Sequence, residues 1–121
     1  MKRRPLSITI ISWIFIVFGS IALLIGVLPI GDITFAERLA DLKSHWYVHL
    51  SRFLQIIIGV FMLYGRDWAR WLLVAWIAFH VVVGYLHGLV PLLTHVVIFS
   101  VILMFVFQSP SSEYFRANRS Q

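Results

Sequence analysis

Histidine is the residue type in this sequence that is best suited to chemistry, and the chain carries five histidines among 121 residues. Imidazole binds metal ions and transfers protons near neutral pH. Four of these side chains are candidate cofactor ligands: His49, His80, His87 and His95. No carboxylate lies within the apolar segments around them, so the di-iron and zinc-protease motifs are missing. We therefore expect no bound metal and no cofactor, with haem b as the alternative, because a histidine between helices can be its axial ligand.

Nucleophilic catalysis has less support in the sequence than ligand binding. The hydroxyls of Thr94 and Ser100 stand alone on an apolar segment, where such side chains usually bond to their own helix backbone. No acid is placed to orient a histidine beside either of them. The chain contains no cysteine, which excludes disulfides and thiol chemistry. We expect that the protein is not an enzyme.

Polar side chains also follow two lines along the apolar segments. Successive residues of a helix are rotated by about 100°, so that residues at certain spacings share one helical face. Each of two apolar segments has one such set of residues. The sets are His45, His49, Arg52 and Gly59, and Trp76, His80, Gly84 and His87. Because ionisable groups avoid lipid, we expect the two sets to face each other inside a bundle. This predicts one interhelical polar network formed by Arg52, Gln55, His80 and His87. Hydrogen bonds that only stabilise helix packing are the alternative role for these groups.

The composition requires a membrane around these residues. The chain is 60% hydrophobic and 12% charged, with a mean hydropathy of +0.90. Residues 71–90 form an uncharged run of 20 residues, which is about 30 Å of helix, the thickness of the hydrocarbon core. Four spans are predicted, at residues 6–28, 48–64, 71–90 and 92–107. The predicted fold is all-α, an integral membrane four-helix bundle that forms a single transmembrane domain over residues 1–121.

The second span is the weakest of the four, because only 13 uncharged residues separate Arg52 from Arg66. Its crossing follows from the positive-inside rule. If it crosses, seven of the ten Lys and Arg residues lie on one side, at positions 2, 3, 4, 66, 70, 116 and 119. Both termini are therefore predicted to be cytoplasmic. This topology also explains the net charge of +5, so we expect no nucleic-acid partner.

The first outer loop is predicted to contain a short amphipathic helix. Thr34 and Glu37 fit a capping box at its start. Phe35, Leu39 and Leu42 then fall on one helical face. We expect this helix to lie on the membrane surface.

Prolines and glycines mark the predicted connections. Pro29 is expected to end the first span and Gly65 the second, and Pro91 is expected to separate the last two. Residues 108–112 are predicted to be a helix stop. Residues 113–121 are predicted to be a polar tail that is too small to fold alone.

Small residues indicate where helices approach each other closely in lipid. Ser12, Gly19 and Gly26 recur every seven residues in the first span, and Gly84 and Gly88 are four apart in the third. We expect these five residues to line helix contacts.

Three stretches carry a resemblance to known proteins. They are GRDWARWLLVAW at residues 65–76, RRPLSITIISWIFI at 3–16 and SSEYFR at 111–116. Together they resemble a family of small, uncharacterised four-span bacterial membrane proteins with a Gly-Arg-x-Trp-Ala-Arg cytoplasmic hairpin. The resemblance implies a multi-pass protein of the bacterial inner membrane. It implies no activity, cofactor or catalytic residue.

The function expected from these features is that of a structural or accessory helix-bundle subunit. Its partners would be the lipid bilayer and other transmembrane helices, in a homo-oligomer or in a larger membrane complex. The alternative is a haem- or metal-binding redox subunit that uses the intramembrane histidines. A small transporter or channel subunit has less support, because the sequence shows no inverted repeat and no span broken at its midpoint.

Overall fold

Six α-helices make up the described part of the chain, which is residues 3–28 and 31–119 of a computed structural model. They are α1 (Leu6–Val27), α2 (Phe35–Ser44), α3 (Trp46–Leu63), α4 (Asp67–His87), α5 (Leu89–Phe107) and α6 (Ser109–Ala117). Helices α1, α3, α4 and α5 are long and apolar enough to cross a membrane. The all-α fold with four membrane spans is confirmed. The helix end predicted at Pro29 and the cation Lys2 lie outside the described residues.

The four long helices form a bundle in which α3 packs against α1 and α4, and α5 packs against α4. Its core is made of apolar side chains such as Ile8, Ile58, Met62 and Leu73, each fully buried. We call the end of the bundle with the α3–α4 connection, residues 64–66, the hairpin end. The opposite end, which carries α2, is called the loop end.

Helix α2 begins with the capping box that the sequence predicts. The backbone N–H of Glu37 donates to Thr34 Oγ1 at 3.3 Å, and the backbone N–H of Thr34 donates to Glu37 Oε2 at 2.8 Å. The backbone N–H and the hydroxyl of Thr34 lower the pKa of the Glu37 carboxyl, because both hydrogen bonds favour its charged form. The apolar side chains of Phe35 and Leu39 remain exposed. This is the pattern of a helix that lies on a membrane surface.

The tail differs from its prediction, because residues 109–117 form the helix α6. Pro110 occupies the first turn, where its missing N–H costs no hydrogen bond. Tyr114 and Phe115 are buried, and the Tyr114 hydroxyl donates to the carbonyl oxygen of Leu63 at 2.8 Å. The long helix α5 does end at Phe107, but the prediction that residues 109–112 form a non-helical stop was wrong. The tail folds because it packs against the hairpin end.

An ion pair within α4 and a second one from the residue Arg119, just after α6, share the carboxylate of Asp67. Arg70 Nη2 lies 2.6 Å from Asp67 Oδ1, and Arg119 pairs with the other oxygen of the same carboxylate. The Arg70 guanidinium is buried and lies over the rings of Phe107 and Phe115, at 5.1 and 5.5 Å from their centroids. One carboxylate thus connects two cations from different parts of the chain.

The sequence predicted a break between the last two spans at Pro91. In the structure, the break lies at Gly88. Helix α4 ends at His87, Gly88 adopts a positive φ of 118°, and α5 begins at Leu89. Pro91 lies inside the first turn of α5, where proline is tolerated. A glycine is needed at this link because side chains rarely adopt that backbone conformation.

Candidate functional site

The predicted polar residues partly converge on a cavity of about 350 Å³ between α1, α3 and α4. Ser51, Arg52 and Gln55 of α3 line it together with Trp76 and His80 of α4. We call this the interhelical cavity. Arg52 lies six residues after Trp46, which is about 9 Å along the helix from the loop end. The cavity therefore lies in the loop-end half of the bundle.

His80 is held in one orientation by its own helix. Its Nδ1 lies 2.9 Å from the carbonyl oxygen of Trp76. Because a carbonyl only accepts hydrogen bonds, Nδ1 carries the hydrogen, and Nε2 of the neutral ring is an acceptor. The hydroxyl of Ser51, 3.5 Å away, is placed to donate to Nε2. The His80 ring also packs on the Trp76 ring, with centroids 3.8 Å apart.

Ser51 is the residue that the sequence analysis missed. Its carbonyl oxygen accepts from Trp76 Nε1 at 3.1 Å, and its hydroxyl faces His80. The side chains of Trp76 and His80 on α4 therefore both contact α3 at Ser51. Small hydroxyl residues are common where membrane helices touch. The only signal in the sequence was a serine one residue before Arg52.

Arg52 and Gln55 share the interhelical cavity with His80. Among the described residues, however, no hydrogen bond joins these three side chains. The Arg52 guanidinium instead reaches over Gly26 in the last turn of α1, where a Cβ atom would collide with it and with the His49 ring. The carbonyl groups at a helix C-terminus favour a nearby cation. Three of the four residues of the predicted network therefore line one cavity, but they are not joined by the hydrogen bonds that a network requires.

His87 does not belong to this group, and its place in the predicted network was wrong. It is exposed at the end of α4, and its Nδ1 donates to the carbonyl oxygen of Val83 at 2.7 Å. The reason is geometric. Ser51 lies opposite His80 in two antiparallel helices, so the position opposite His87 would be Ser44, which precedes the start of α3. No part of α3 is available to face His87.

The two polar lines meet only at the interhelical cavity, which Arg52 lines together with Trp76 and His80, and elsewhere they face different helices. The line on α3 lies against α1: a Cβ at Gly59 would be 2.7 Å from the Ser12 carbonyl oxygen, and one at Gly19 would be 2.9 Å from Ile56. On α4, the line turns towards α5 at Gly84, since a Cβ there would be 3.2 Å from His95 Nδ1. The periodicity of the sequence predicted which residues share a helical face, but it did not predict which helix packs against that face.

The small residues therefore divide into two groups. Ser12, Gly19, Gly26 and Gly84 lie at close helix contacts within this chain. Gly88 does not, because a Cβ there would meet nothing within 4 Å. Its expected role in helix packing is corrected to that of the α4–α5 link.

Three histidines share one ring orientation. In His80, His87 and His95, Nδ1 donates to the carbonyl oxygen four residues earlier, at 2.9, 2.7 and 2.6 Å. With the hydrogen on Nδ1, a neutral imidazole has Nε2 as its basic nitrogen, and in His80 this atom faces the Ser51 hydroxyl. The rings of His80 and His95 are 6.4 Å apart between centroids. Within residues 3–28 and 31–119, no group of three or more His, Cys, Asp or Glu side chains is arranged to hold a metal ion.

No protein-family model matches this sequence, and neither a curated protein nor a solved structure gives a significant match.

Proposed function

We propose that the protein is a structural or accessory helix-bundle subunit that packs against further transmembrane helices. The observation that carries this proposal is the outward face of α5. Of the 19 residues of α5, Phe99 and Val106 are buried within the chain. Ser100 lies on the exposed side, near the middle of the span, between Val97 and Met104.

A serine on that face favours a helix as its neighbour. Large apolar side chains are well suited to contact with lipid tails, whereas small residues let a second helix approach closely. The Ser100 hydroxyl donates to the carbonyl oxygen of Val96 at 2.6 Å, so it demands no other partner. Leu93, Val97 and Met104 flank it at helical spacing and are all exposed. Together they form an exposed face on which Ser100 is the smallest side chain.

The partner is a second copy of this chain or a helix of a larger membrane complex. Single-cysteine cross-linking distinguishes these cases without background, because the chain contains no cysteine. Val97→Cys places the thiol on the α5 face, and Phe18→Cys on α1 is its matched control. The two side chains are 63% and 65% exposed and lie at similar distances from the loop end. Both variants are labelled in native membranes with a thiol-reactive photocrosslinker, which on irradiation reacts with C–H bonds of a neighbouring helix whether or not that helix contains a cysteine.

We expect a cross-linked product from Val97→Cys and none from Phe18→Cys. A product of twice the 14.0 kDa chain mass identifies a homo-oligomer, and any other mass identifies a complex. Equal trace yields from both variants would show that lipid alone covers α5, and the proposal would be rejected.

The proposed location is a bacterial inner membrane, with both termini in the cytoplasm. Two features support this orientation. The amide of Gln108 donates to Ser7 Oγ at 3.2 Å, so the starts of α1 and α6 share the hairpin end. That end also carries most of the cationic side chains, as the positive-inside rule requires of the cytoplasmic side: Arg3, Arg4, Arg66, Arg70, Arg116 and Arg119.

A haem- or metal-binding redox subunit is the second candidate. It is favoured by His80 and His95, which lie on adjacent helices with their ring centroids 6.4 Å apart and whose Nε2 atoms are not bonded to the backbone. The described residues offer no third ligand of the His, Cys, Asp or Glu type beside them. This bears on a metal held by three protein ligands but not on a haem, which needs only axial histidines, so the absorption spectrum of the natively purified protein decides between the two candidates.

A further inference from the structure

A second polar cavity, of about 360 Å³, opens at the loop end where α1 and α2 meet the start of α3. Its polar lining consists of Arg38 and Asp41 from α2, with His45, His49 and Arg52 from the start of α3 and the residue before it. We call it the loop-end cavity. Arg52 lines both this cavity and the interhelical one.

The loop-end cavity has an excess of positive charge. Its lining holds two guanidinium groups and one carboxylate, so it is cationic even when both imidazoles are neutral. Asp41 is shared among several partners. His45 Nδ1 lies 2.9 Å from Oδ1, and both Arg38 Nη1 and His49 Nε2 lie 4.0 Å from Oδ2. One acid cannot satisfy all of these groups.

Two nitrogen atoms of residues in the cavity lining have no hydrogen-bond partner among the described residues. They are Arg38 Nε and His49 Nδ1, and both are buried. Buried polar atoms are usually hydrogen-bonded, so each such exception needs an explanation. An acceptor bound in the cavity would provide a partner for the Arg38 N–H, and for His49 Nδ1 when that atom carries the hydrogen.

The cavity lies at the level of lipid head groups. The exposed side chains of Phe35 and Leu39 place α2 on the membrane surface. Trp46, also exposed, begins α3 at the same level, as aromatic residues do at membrane interfaces. Arg52 reaches this level because its guanidinium lies over Gly26, one residue before α1 ends.

We propose that the loop-end cavity binds the phosphate group of an anionic membrane phospholipid. A guanidinium presents paired N–H donors that match phosphate oxygens, and Arg38 and Arg52 supply two such groups. The remaining lining suits the lipid beyond its phosphate, because Ile25 and Val48 are apolar. This inference does not depend on the oligomeric state or on the partner of α5.

The test compares lipids and a matched pair of variants in purified full-length protein. Thermal unfolding in dodecyl maltoside is followed by circular dichroism while dioleoyl-phosphatidylglycerol or dioleoyl-phosphatidylcholine is added. Arg38→Gln removes a guanidinium from the cavity lining. Lys43→Gln removes one positive charge from the same helix but outside the lining.

We expect phosphatidylglycerol to raise the unfolding temperature more than phosphatidylcholine does. Arg38→Gln should weaken the apparent affinity for phosphatidylglycerol roughly tenfold, the effect of losing a charged hydrogen bond. Arg38→Lys should restore part of it, and Lys43→Gln should retain the affinity of the unmodified protein. Equal losses in Arg38→Gln and Lys43→Gln would reject the site in favour of general surface charge.

Two further measurements complete the test. Inorganic phosphate is added in place of lipid, and stabilisation equal to that by phosphatidylglycerol would reject a lipid ligand. Native mass spectrometry of the unmodified protein, released from vesicles of equal phosphatidylglycerol and phosphatidylcholine, does not depend on any variant folding. We expect phosphatidylglycerol to be retained, and equal retention of both lipids would contradict the proposal.

Discussion

The hydroxyl of Tyr114 donates to the carbonyl oxygen of Leu63, 51 residues earlier in the chain and 2.8 Å away. Leu63 is the last residue of α3, and carbonyl groups at a helix end lack partners in their own helix. The bond therefore satisfies one such carbonyl and attaches α6 to the hairpin end. Gly65 makes room for this contact, since a Cβ there would lie 3.0 Å from the Tyr114 ring.

Tyr114→Phe removes this hydrogen bond and keeps the ring. We expect it to lower the free energy of unfolding by about 1 kcal/mol, because one neutral hydrogen bond is lost and a carbonyl is left unpaired. Reversible unfolding in mixed detergent micelles measures the change. Tyr85→Phe is the control, because Tyr85 is 70% exposed on α4. Equal effects in the two variants would show that the bond does not stabilise the docked tail.

Asp67→Asn tests the ion pairs at the same end. The Asp67 carboxylate is largely buried and pairs with Arg70, whose guanidinium is buried too. Removing one partner leaves an uncompensated buried charge, so we expect a loss of about 3 kcal/mol in unfolding experiments. Arg119→Gln should cost less than about 1 kcal/mol, because that side chain is mostly exposed. The reverse order of the two losses would contradict this account.

The glycines at close helix contacts give a third prediction, which concerns the stability of variants with a larger side chain there. Gly19→Leu and Gly84→Leu place side chains where a Cβ already approaches Ile56 and His95. We expect each to destabilise the bundle by about 1–3 kcal/mol or to prevent folding, as overpacking does. Ala78→Leu, on the exposed face of α4, is the control. Unchanged detergent-extracted size and thermal stability in both glycine variants would show that these contacts tolerate bulk.

The sequence predicted the elements well because their signals are local. An uncharged run of helical length identifies a span, and Thr34 with Glu37 identifies a capped helix start from four residues. The tail helix was missed because Pro110 was interpreted as a stop, although proline is equally suited to a first turn. The spacing of Ser111, Tyr114, Phe115 and Asn118, all buried on one face, was the available signal.

The arrangement of the helices was not predictable in the same way. Periodicity shows which residues share a face, but in lipid several neighbours can cover that face. The Arg52 line faces α1, where Gly26 leaves room for the Arg52 guanidinium and Gly59 leaves room for the backbone of Ser12. His87 was misassigned because its depth relative to α3 depends on where α3 begins.

Orientation in the membrane is a fourth testable outcome. The hairpin end carries most of the cationic side chains, so we expect a reporter fused after Gln121, or inserted near Arg66, to report the cytoplasm. A reporter near Asp41 should report the opposite side. A C-terminal reporter outside the cytoplasm would reverse the proposed topology. Reporters on opposite sides at Arg66 and the C-terminus would contradict the four-span fold itself.

The choice between a cofactor-free subunit and a redox subunit depends on His80 and His95. Their Nδ1 atoms are bonded to backbone carbonyls, which leaves the Nε2 atoms as the nitrogens available to a ligand. Ser51 already lies within 3.5 Å of Nε2 of His80. In the structural role, that hydroxyl is a sufficient partner, and the ring serves to hold α3 against α4.

We therefore expect the natively purified protein to be colourless and free of stoichiometric metal. His80→Phe should then lower the free energy of unfolding by only about 0.6–2 kcal/mol, the range of single interhelical hydrogen bonds in membranes. The measurements are an absorption spectrum, elemental analysis and unfolding of the same preparation. A cofactor would instead give a Soret band or bound metal that disappears in His80→Ala or His95→Ala, because an axial ligand is lost. A stoichiometric band that survives in His87→Ala but disappears in His80→Ala would establish the redox role, since His87 lies exposed at the end of α4.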